Sequence, residues 1–444
     1  MKIKMDVIAK KAIKILQQKG YEAYLVGGSL RDMLLLSCAK DIDIATSALP
    51  QQVMEAFSSF NTIQTGIEFG TVTVIIDDCP VEVTTFRSEK EYIKNRKPSS
   101  VKFEDDIAHD LKRRDFTINA MAYNEENGLI DLFSGIEDLE KKIIRAVGDP
   151  DERFSEDALR MLRAVRFASA LDFEIEKDTL DAIIKNSGRI ESISMPRINS
   201  ELSKILISKN PAKGMRLLFD TGLIEHMIPE LTVLKGFDQK NPYHSMDLLE
   251  HTLCVVENTK PDLIVRLGAL FHDIAKPDTM FTDDDEIGHF YGHDKEGSEK
   301  TIRILRRLQF SNEVTRAVSD LVRHHMIDAS HIGKKGIKKL LGIFGEDDIF
   351  RLSELHRADT KCTSMDQSED LLTEKIKEVL DHKEPFSRKD MDIDGNDLIS
   401  HGVSGRRVGE LLDILLDCVL EDEKLNQKDK LLGIAVQLID YDIK

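Results

Sequence analysis

The chain has 444 residues, with 62 Lys and Arg against 80 Asp and Glu and a formal net charge of −18. That length implies two to four domains at roughly 100–200 residues each, and a 41% hydrophobic, 32% charged composition excludes a disordered polymer. The negative balance excludes non-specific adhesion to long nucleic acid while leaving room for a local basic groove.

The first ~145 residues mix strands with helices. Val7-Ile8, Ala12-Ile13 and Leu16 recur at helical spacing, with Gly20 placed as a C-terminal cap. Ala23 to Val26 predicts a short strand, Gly27-Gly28 a turn, and Ser29 to Leu36 a helix. Asp41 to Ile44 alternates as a strand, and Pro50 is placed to open the next helix. Thr71 to Ile76 and Val81 to Phe86 predict a hairpin around Asp77-Asp78-Cys79-Pro80. Lys90 to Ser100, polar and holding Pro98, has no apolar period and predicts a mobile loop. From Ser155 onward the pattern becomes amphipathic helices, broken at Asn186-Ser187-Gly188, Asn210-Pro211, Gly236, Asn241-Pro242 and Thr360 to Asp370. No apolar run approaches the ~20 residues of a membrane span, and Met1 to Lys11 is too charged for a signal peptide. Cys38, Cys79, Cys254, Cys362 and Cys418 are odd in number, scattered and free of CxxC spacing. They are expected to be reduced thiols of a cytoplasmic protein, without disulfides or a zinc site.

Chemistry concentrates in the head. Asp41 and Asp43, two apart on a strand, project from one face, and Glu82 on a neighbouring strand can join them. Like charges so close call for a cation, and carboxylates that share phosphate oxygens suit Mg²⁺. Gly27-Gly28-Ser29 joins strand to helix, where free N–H groups and the positive helix end receive phosphate, with Arg31 one turn on. A lone Asp-x-Asp is more often a solvated strand end, and a lone Gly-Gly turn is equally weak. The ordered combination is what carries the inference.

Five motifs together resemble the class II tRNA nucleotidyltransferases and their bacterial poly(A) polymerase relatives, of the polymerase-β nucleotidyltransferase superfamily. They are Leu25 to Asp32, Asp41 to Thr46, Val81 to Arg87, Arg113 to Ala122 and Glu156 to Phe167. The resemblance implies template-independent addition of C, C and A to the 3′ end of tRNA from CTP and ATP. It implies Asp41, Asp43 and Glu82 as catalytic carboxylates, with Mg²⁺ on Asp41 and Asp43. Gly27, Gly28, Ser29, Arg31, Arg114, Asp157, Arg160, Arg163 and Arg166 are the implied nucleotide-binding residues. A helix from Ser155 is expected to put Asp157 and Arg160 on one face. The arginine would donate to ring acceptors and the aspartate would accept from the exocyclic amine that C and A share, a contact worth about 1–3 kcal/mol of discrimination. Asn119 falls in a matching motif without an assigned role.

Arg197, Lys204, Lys209, Lys213 and Arg216 read either as a solvated face or as the backbone contact for the tRNA acceptor arm. Further on, His251, His272-Asp273 and Asp359 match the HD phosphohydrolase pattern, which implies a metal site, and His293 with His324-His325 would fit a second divalent metal. Phosphomonoesters or cyclic phosphates, such as damaged tRNA ends, are the implied substrates. The tail, with Gly402 to Gly409 carrying Arg406 and Arg407, resembles the C-terminal domain of Gram-positive CCA-adding enzymes; it either grips tRNA phosphates or is an ordinary loop-to-helix connection.

The expected class is therefore α+β: a nucleotidyltransferase head (1–147), a helical template and RNA-binding neck and body (148–235), an HD domain (236–375) and a helical tRNA-binding tail (376–444). The rivals are enzymes adding only CC or only A, a poly(A) polymerase, a stand-alone HD phosphohydrolase and a non-catalytic RNA-binding scaffold. Between Glu82's strand and Arg113, Arg87, Tyr92, Arg96 and Pro98 are spaced as in complete CCA-adding enzymes. Lys94 departs from the family, which often has an acid two residues before that arginine. No membrane partner is expected, and the sequence does not define an oligomeric state.

Overall fold

The first helical period belongs to α1 (Val7–Gln18), whose start is capped by Asp6 accepting from the N–H groups of Ile8 and Ala9. The structure, a computed structural model, describes residues 5–36, 41–64, 66–93, 97–241, 246–363 and 370–442. It divides into two compact units: Met1–Thr232 with Arg307–Phe310, and Val233–Arg306 with Ser311–Lys444.

In the first unit, β1 (Ala23–Val26) runs into α2 (Gly27–Leu34), and β2 (Ile42–Thr46) is followed by α3 (Pro50–Ala56). Next come β3 (Asn61–Ile63), β4 (Thr71–Ile76) and β5 (Cys79–Thr85). Asp77 and Asp78 both take positive φ, the backbone of the two-residue turn whose twist suits a hairpin. Later β8 (Met121–Asn124) and β9 (Gly128–Asp131), numbered after the ribbon strands below, complete a seven-stranded sheet of order β3-β4-β5-β2-β1-β8-β9. Every pairing in it is antiparallel except β2 with β5, where Asp43 stands opposite Glu82. Alternation along β4 and β5 buries Val72, Val74, Ile76, Val81 and Val83. A second apolar cluster gathers Tyr24, Val26, Ala45, Phe86, Ile107, Leu111 and Ala122.

The expected mobile loop at Lys90 to Ser100 is instead largely a two-stranded ribbon, β6 (Arg87–Ile93) with β7 (Lys97–Phe103). A ribbon with two free edges tolerates Pro98, since an edge strand can forgo a donor, and polar strands paired only with each other leave no apolar alternation to read. Lys94, Asn95 and Arg96 lie outside the described residues.

After α4 (Ile107–Lys112) and α5 (Gly135–Lys141) the chain is helical: α6 (Pro150–Glu156), α7 (Leu159–Leu171), α8 (Lys177–Asn186), α9 (Met195–Leu206), α10 (Pro211–Asp220) and α11 (Leu223–Met227). The single helix expected from Ser155 is broken. Asp157 is extended, and its carboxylate accepts the Leu159 N–H, so it closes α6 and opens α7 instead of lying inside a helix.

The second unit contains α12 (Leu248–Asn258), α13 (Leu263–Phe271), α14 (Lys276–Thr279), α15 (His293–Arg307), α16 (Asn312–His324) and α17 (Lys334–Lys361), kinked at Gly345. Its tail helices α18 (Leu371–Asp381), α19 (Gly395–Ser400), α20 (Arg406–Glu421) and α21 (Lys428–Asp442) follow. The tail has its own core of Leu398, Leu411, Leu415, Val419 and Leu431. The expectation of unpaired thiols fails here, because Cys254 on α12 and Cys362 at the end of α17 form a disulfide. A pairing across 108 residues leaves no local spacing to read. Cys79 and Cys418 are free thiols, and Cys38 lies outside the described residues.

Candidate active site

In the head, exposed Asp41 immediately precedes β2, and half-buried Asp43 is the second residue of the strand. The Ser29 hydroxyl donates to the Asp41 carbonyl at 2.8 Å and accepts the Asp43 N–H at 2.8 Å, which ties the start of α2 to the carboxylate strand. Gly27 has φ +66°, and a Cβ there would lie 3.0 Å from the Arg114 guanidinium and 3.3 Å from an Asp43 oxygen. Glycine is thus required by conformation and by close approach.

Burial pushes the Asp43 carboxyl up to about 6, with Glu82 and Asp41 adding to the rise and Arg114 opposing it. A carboxylate raised by neighbouring carboxylates is one that a cation would stabilise, and the all-oxygen donor set fits a hard divalent ion. The three acids are not drawn into one tight cluster: among the described residues, the sets of three ligand atoms within 4.8 Å lie in the second unit.

Asp41, Asp43, Gly27, Gly28, Ser29, Arg31 and Arg114 line a cavity of about 900 Å³ together with Asp157, Arg160, Arg163 and Arg166. Arg31 donates to Asn119 at 2.9 Å, and Asn119 donates to Asp115 at 3.2 Å, so Asn119 bridges two motifs. Asp115 also takes Arg163 through Nε at 2.7 Å and Nη2 at 2.6 Å. Its burial would raise its pKa, but Arg163 and Arg160 hold it down at about 2. Buried Asp110 takes Arg113 at 2.6 Å and Arg114 at 2.9 Å. Arg166 pairs with Glu201 at 3.1 Å. The guanidiniums of Arg31, Arg163 and Arg166 lie 5.0, 5.4 and 4.3 Å from the Phe167 ring centre.

Asp157 and Arg160 share the cavity but not one helix. Asp157 accepts Arg197 at 2.7 Å, while buried Arg160 donates to Glu156 at 2.5 Å and to the Arg113 carbonyl at 2.9 Å. Of the basic residues expected along the acceptor-arm stripe, Arg197 and Lys204 line the cavity, and Lys213 is held by Asp172 and Glu174. Sequence reasoning passed over Asp110 and gave no role to Asp115 and Phe167, which fall inside the motifs, or to Glu201. Asp110 was findable, standing three and four residues before two arginines in a helical stretch, whereas nothing local announces Glu201.

The second unit brings His251, His272, Asp273, His293, His325 and Asp359 together. One set is His251, His272 and Asp273, another is Asp273, His293 and His325, and Asp273 belongs to both. Asp359 lies 3.1 Å from His251 Nε2. His272, His293 and His325 each place Nδ1 on a backbone carbonyl, of Ala269, Phe290 and Val322, at 2.8, 2.6 and 2.7 Å. Those bonds assign the proton to Nδ1 and leave Nε2 lone pairs facing inward. There His251 and His272 Nε2 are 3.3 Å apart and His293 and His325 Nε2 3.2 Å apart, around a carboxylate. Lone pairs converging in a buried space fit a divalent metal. His324 instead bonds the Asp320 carbonyl through Nδ1 and lines a separate cavity.

The head sheet, its paired acids and its glycine turn define a nucleotidyltransferase, and residues 23–145 match the poly A polymerase head domain family. Residues 172–235 match a probable RNA and SrmB-binding site of polymerase A, and 294–435 a putative tRNA nucleotidyltransferase domain 2. The chain is 35% identical over 416 residues to the CCA-adding enzyme of Lactobacillus johnsonii, with 92% of each covered. It therefore belongs to the CCA-adding enzyme family. With the CCA-adding enzyme of Ligilactobacillus salivarius it is 50% identical over 220 residues, a match spanning about half of that relative's length, 54%. Among solved structures, that of the Bacillus stearothermophilus CCA-adding enzyme in complex with CTP is similar at a TM-score of 0.77 and 29% identity, covering 99% of both chains. The Thermotoga maritima enzyme complexed with tRNA shares the fold at 20% identity and a TM-score of 0.59.

Because the folded Asp43 binds its proton more tightly than an ordinary aspartate does, the stability it withholds from the metal-free head is least below pH ~4. It grows as pH rises to about 6, to the order of 3 kcal/mol. Asp43→Asn is therefore expected to raise the thermal midpoint of the metal-free protein at pH 7.5 by a few degrees while ending nucleotide incorporation. Calorimetry with and without MgCl₂ checks this: the parent midpoint should respond to the ion and the variant's should not.

Proposed function

We propose that this chain adds C, C and A in turn to the 3′ end of tRNA from CTP and ATP, releasing pyrophosphate. The observation that carries the reading is one cavity lined by Asp41, Asp43 and the glycine turn together with Asp157 and Arg160. Bound Mg²⁺ on Asp41 and Asp43 would neutralise charge on the triphosphate and favour the ionised tRNA 3′-hydroxyl. Glu82 stands beside Asp43 to complete the site or take the hydroxyl proton, Arg114 is aimed by Asp110 and receives phosphate, and the hydroxyl attacks the α-phosphorus. Most of the acceleration comes from positioning and fixed charge. Arg163, Arg166 and Arg31 supply a positive wall whose carboxylate partners keep it ordered.

Asp157 is the specificity residue in this reading. Its two oxygens already accept from Leu159 and Arg197, which fixes the direction of the remaining lone pairs. Uracil and guanine offer a carbonyl where C and A offer an amine. Asp157→Ala is expected to narrow the preference for CTP over UTP by roughly 10- to 100-fold. Its effect on triphosphate affinity should be smaller, and kcat/KM for all four nucleotides reads both.

The decisive assay uses tRNA lacking all three nucleotides, with CTP and ATP together, and sequences the 3′ ends. Complete CCA is expected. A product halting at CC identifies a CC-adding enzyme, and a substrate untouched until CC is supplied identifies an A-adding one. A long A tract identifies a poly(A) polymerase.

A second activity is favoured by the inward-facing histidines: hydrolysis of phosphoesters, such as damaged tRNA ends, at a metal centre on His251, His272, Asp273 and Asp359, with His293 and His325 for a second ion. Among the described residues no helix is long and apolar enough to cross a membrane, and we place the enzyme in the cytoplasm. His272→Ala with Asp273→Ala should remove bound metal and phosphatase activity together while CCA addition continues. Unchanged metal content by elemental analysis would sink this second reading.

A further inference from the structure

The Cys254–Cys362 bond and the histidine–aspartate cluster link the same two helices. Cys254 follows His251 by three residues on α12, and Cys362 follows Asp359 by three at the end of α17. Residues three apart are neighbours on a helix face, about 4.5 Å apart along the axis. His251 Nε2 lies 3.1 Å from the Asp359 carboxylate, and the two cysteine Cα atoms are 6.0 Å apart. The His–Asp contact and the sulfur link are therefore adjacent rungs of one ladder. The Cys362 N–H also donates to the Asp359 carbonyl at 2.9 Å, which fixes one rung to the other.

The surroundings suit a bond that is made and broken. Asn258, one turn beyond Cys254, holds its side-chain nitrogen 3.5 Å from the Cys254 sulfur and 3.6 Å from the Cys362 sulfur. That nitrogen also donates to the Cys254 carbonyl at 2.9 Å, so its direction is set by α12 itself. A donor held against both sulfurs stabilises a thiolate on either one, and a stabilised leaving thiolate speeds exchange. Cys362 is buried and Cys254 only half-buried, so Cys254 carries the sulfur that an outside thiol meets. Other ties between the helix ends do not involve sulfur: Arg357 donates to the Asn258 carbonyl at 2.9 Å, and Glu354 accepts the Lys260 N–H at 3.0 Å. Opening the bond therefore loosens one rung without separating α12 from α17. In the cytoplasm proposed above, protein disulfides are rare, and those that form are usually transient or redox-sensing.

We propose that Cys254 and Cys362 are a thiol–disulfide switch that sets the His251–Asp359 contact, with glutathione and its disulfide as the exchanging couple. On oxidation the Cys254 thiolate attacks glutathione disulfide and releases one glutathione. The Cys362 thiolate then attacks the Cys254 sulfur and releases the second. The two protein thiols lose two electrons and two protons, and one glutathione disulfide becomes two glutathiones. Reduction runs the same steps backward. The bonded form keeps His251 and Asp359 in register, and the dithiol form gives the last turn of α17 freedom to shift against α12. The switch rests on the metal-centre reading only for its effect on a bound ion.

Full-length protein is equilibrated in glutathione buffers of varied ratio, alkylated, and read by peptide mass spectrometry. Reversible conversion between dithiol and disulfide is expected. A pair that stays bonded in a large excess of glutathione, or stays reduced in a large excess of its disulfide, overturns the switch. Hydrogen exchange then compares the two forms, with faster exchange expected in the last turns of α12 and α17 of the dithiol form. Titration with Mn²⁺ is expected to show about 10-fold weaker binding by the dithiol form, the loss typical when a group that orients a ligand is removed. Cys362→Ser should match the dithiol form in every buffer, whereas Cys79→Ser should leave the response intact. Equal hydrogen exchange in the two forms, or equal Mn²⁺ affinity where Mn²⁺ binds, overturns the proposal. If neither form binds Mn²⁺ while exchange still differs, the switch stands and the metal reading falls.

Discussion

The head is organised around one unfavourable contact, the approach of Asp43 to Glu82 across the parallel β2–β5 pair. Two carboxylates in neighbouring register repel, and burial raises the cost for Asp43. The surrounding structure makes that position unavoidable. Ile44, Val81 and Val83 are fully buried on the opposite face of the same strands, so a one-residue slip would send them to the carboxylate face. The Ser29 hydroxyl pins β2 to the helix start, and Gly27 leaves the room in which Arg114 approaches. The apolar core enforces the register, and the register holds the charges in place for a ligand that neutralises them.

The basic wall of the cavity follows a related logic. Arg31, Arg114, Arg163 and Arg166 have carboxylate or amide partners at Asp32, Asp110, Asp115, Asn119 and Glu201. Unpaired guanidiniums crowded around Phe167 would repel, and paired ones keep fixed directions at the expense of part of their charge. A polyphosphate entering this cavity meets donors that are already aimed, so little ordering remains to be done on binding. Arg197 on Asp157 extends the same device to base selection: the element that reads the base is held by a residue 40 positions away in sequence.

The head was legible because its chemistry is written in short motifs on short elements. Asp-x-Asp on a strand, a glycine turn between strand and helix, and an acid centred in an alternating strand each constrain local geometry. Reading failed where the deciding interaction was remote or non-apolar. The sequence of the β6–β7 ribbon carries no apolar alternation, so nothing periodic announced it. The break at Asp157 was masked because the apolar spacing on both sides is helical, and a capping carboxylate inside a run of helix formers resembles any other polar residue. The basic stripe after α7 was read as one surface, but Arg197 turned inward and Lys213 was claimed by acids beyond the segment's start. Six metal-type side chains of the second unit, with a second group around His293, were visible in order, while the membership of Asp273 in both sets and the departure of His324 required the fold.

The disulfide between Cys254 and Cys362 has a consequence for how the second unit comes apart. Each cysteine lies three residues beyond a side chain of the metal-type cluster, His251 on α12 and Asp359 on α17. Small metal-dependent folds ordinarily unravel when a chelator strips the ion, because the ion is what joins their distant segments. Here a covalent tether spanning 108 residues joins the same two helices one turn away. Were an ion to bind at that cluster, its loss would leave the His251 and Asp359 helices anchored together, and loading would fill a standing scaffold instead of refolding the unit.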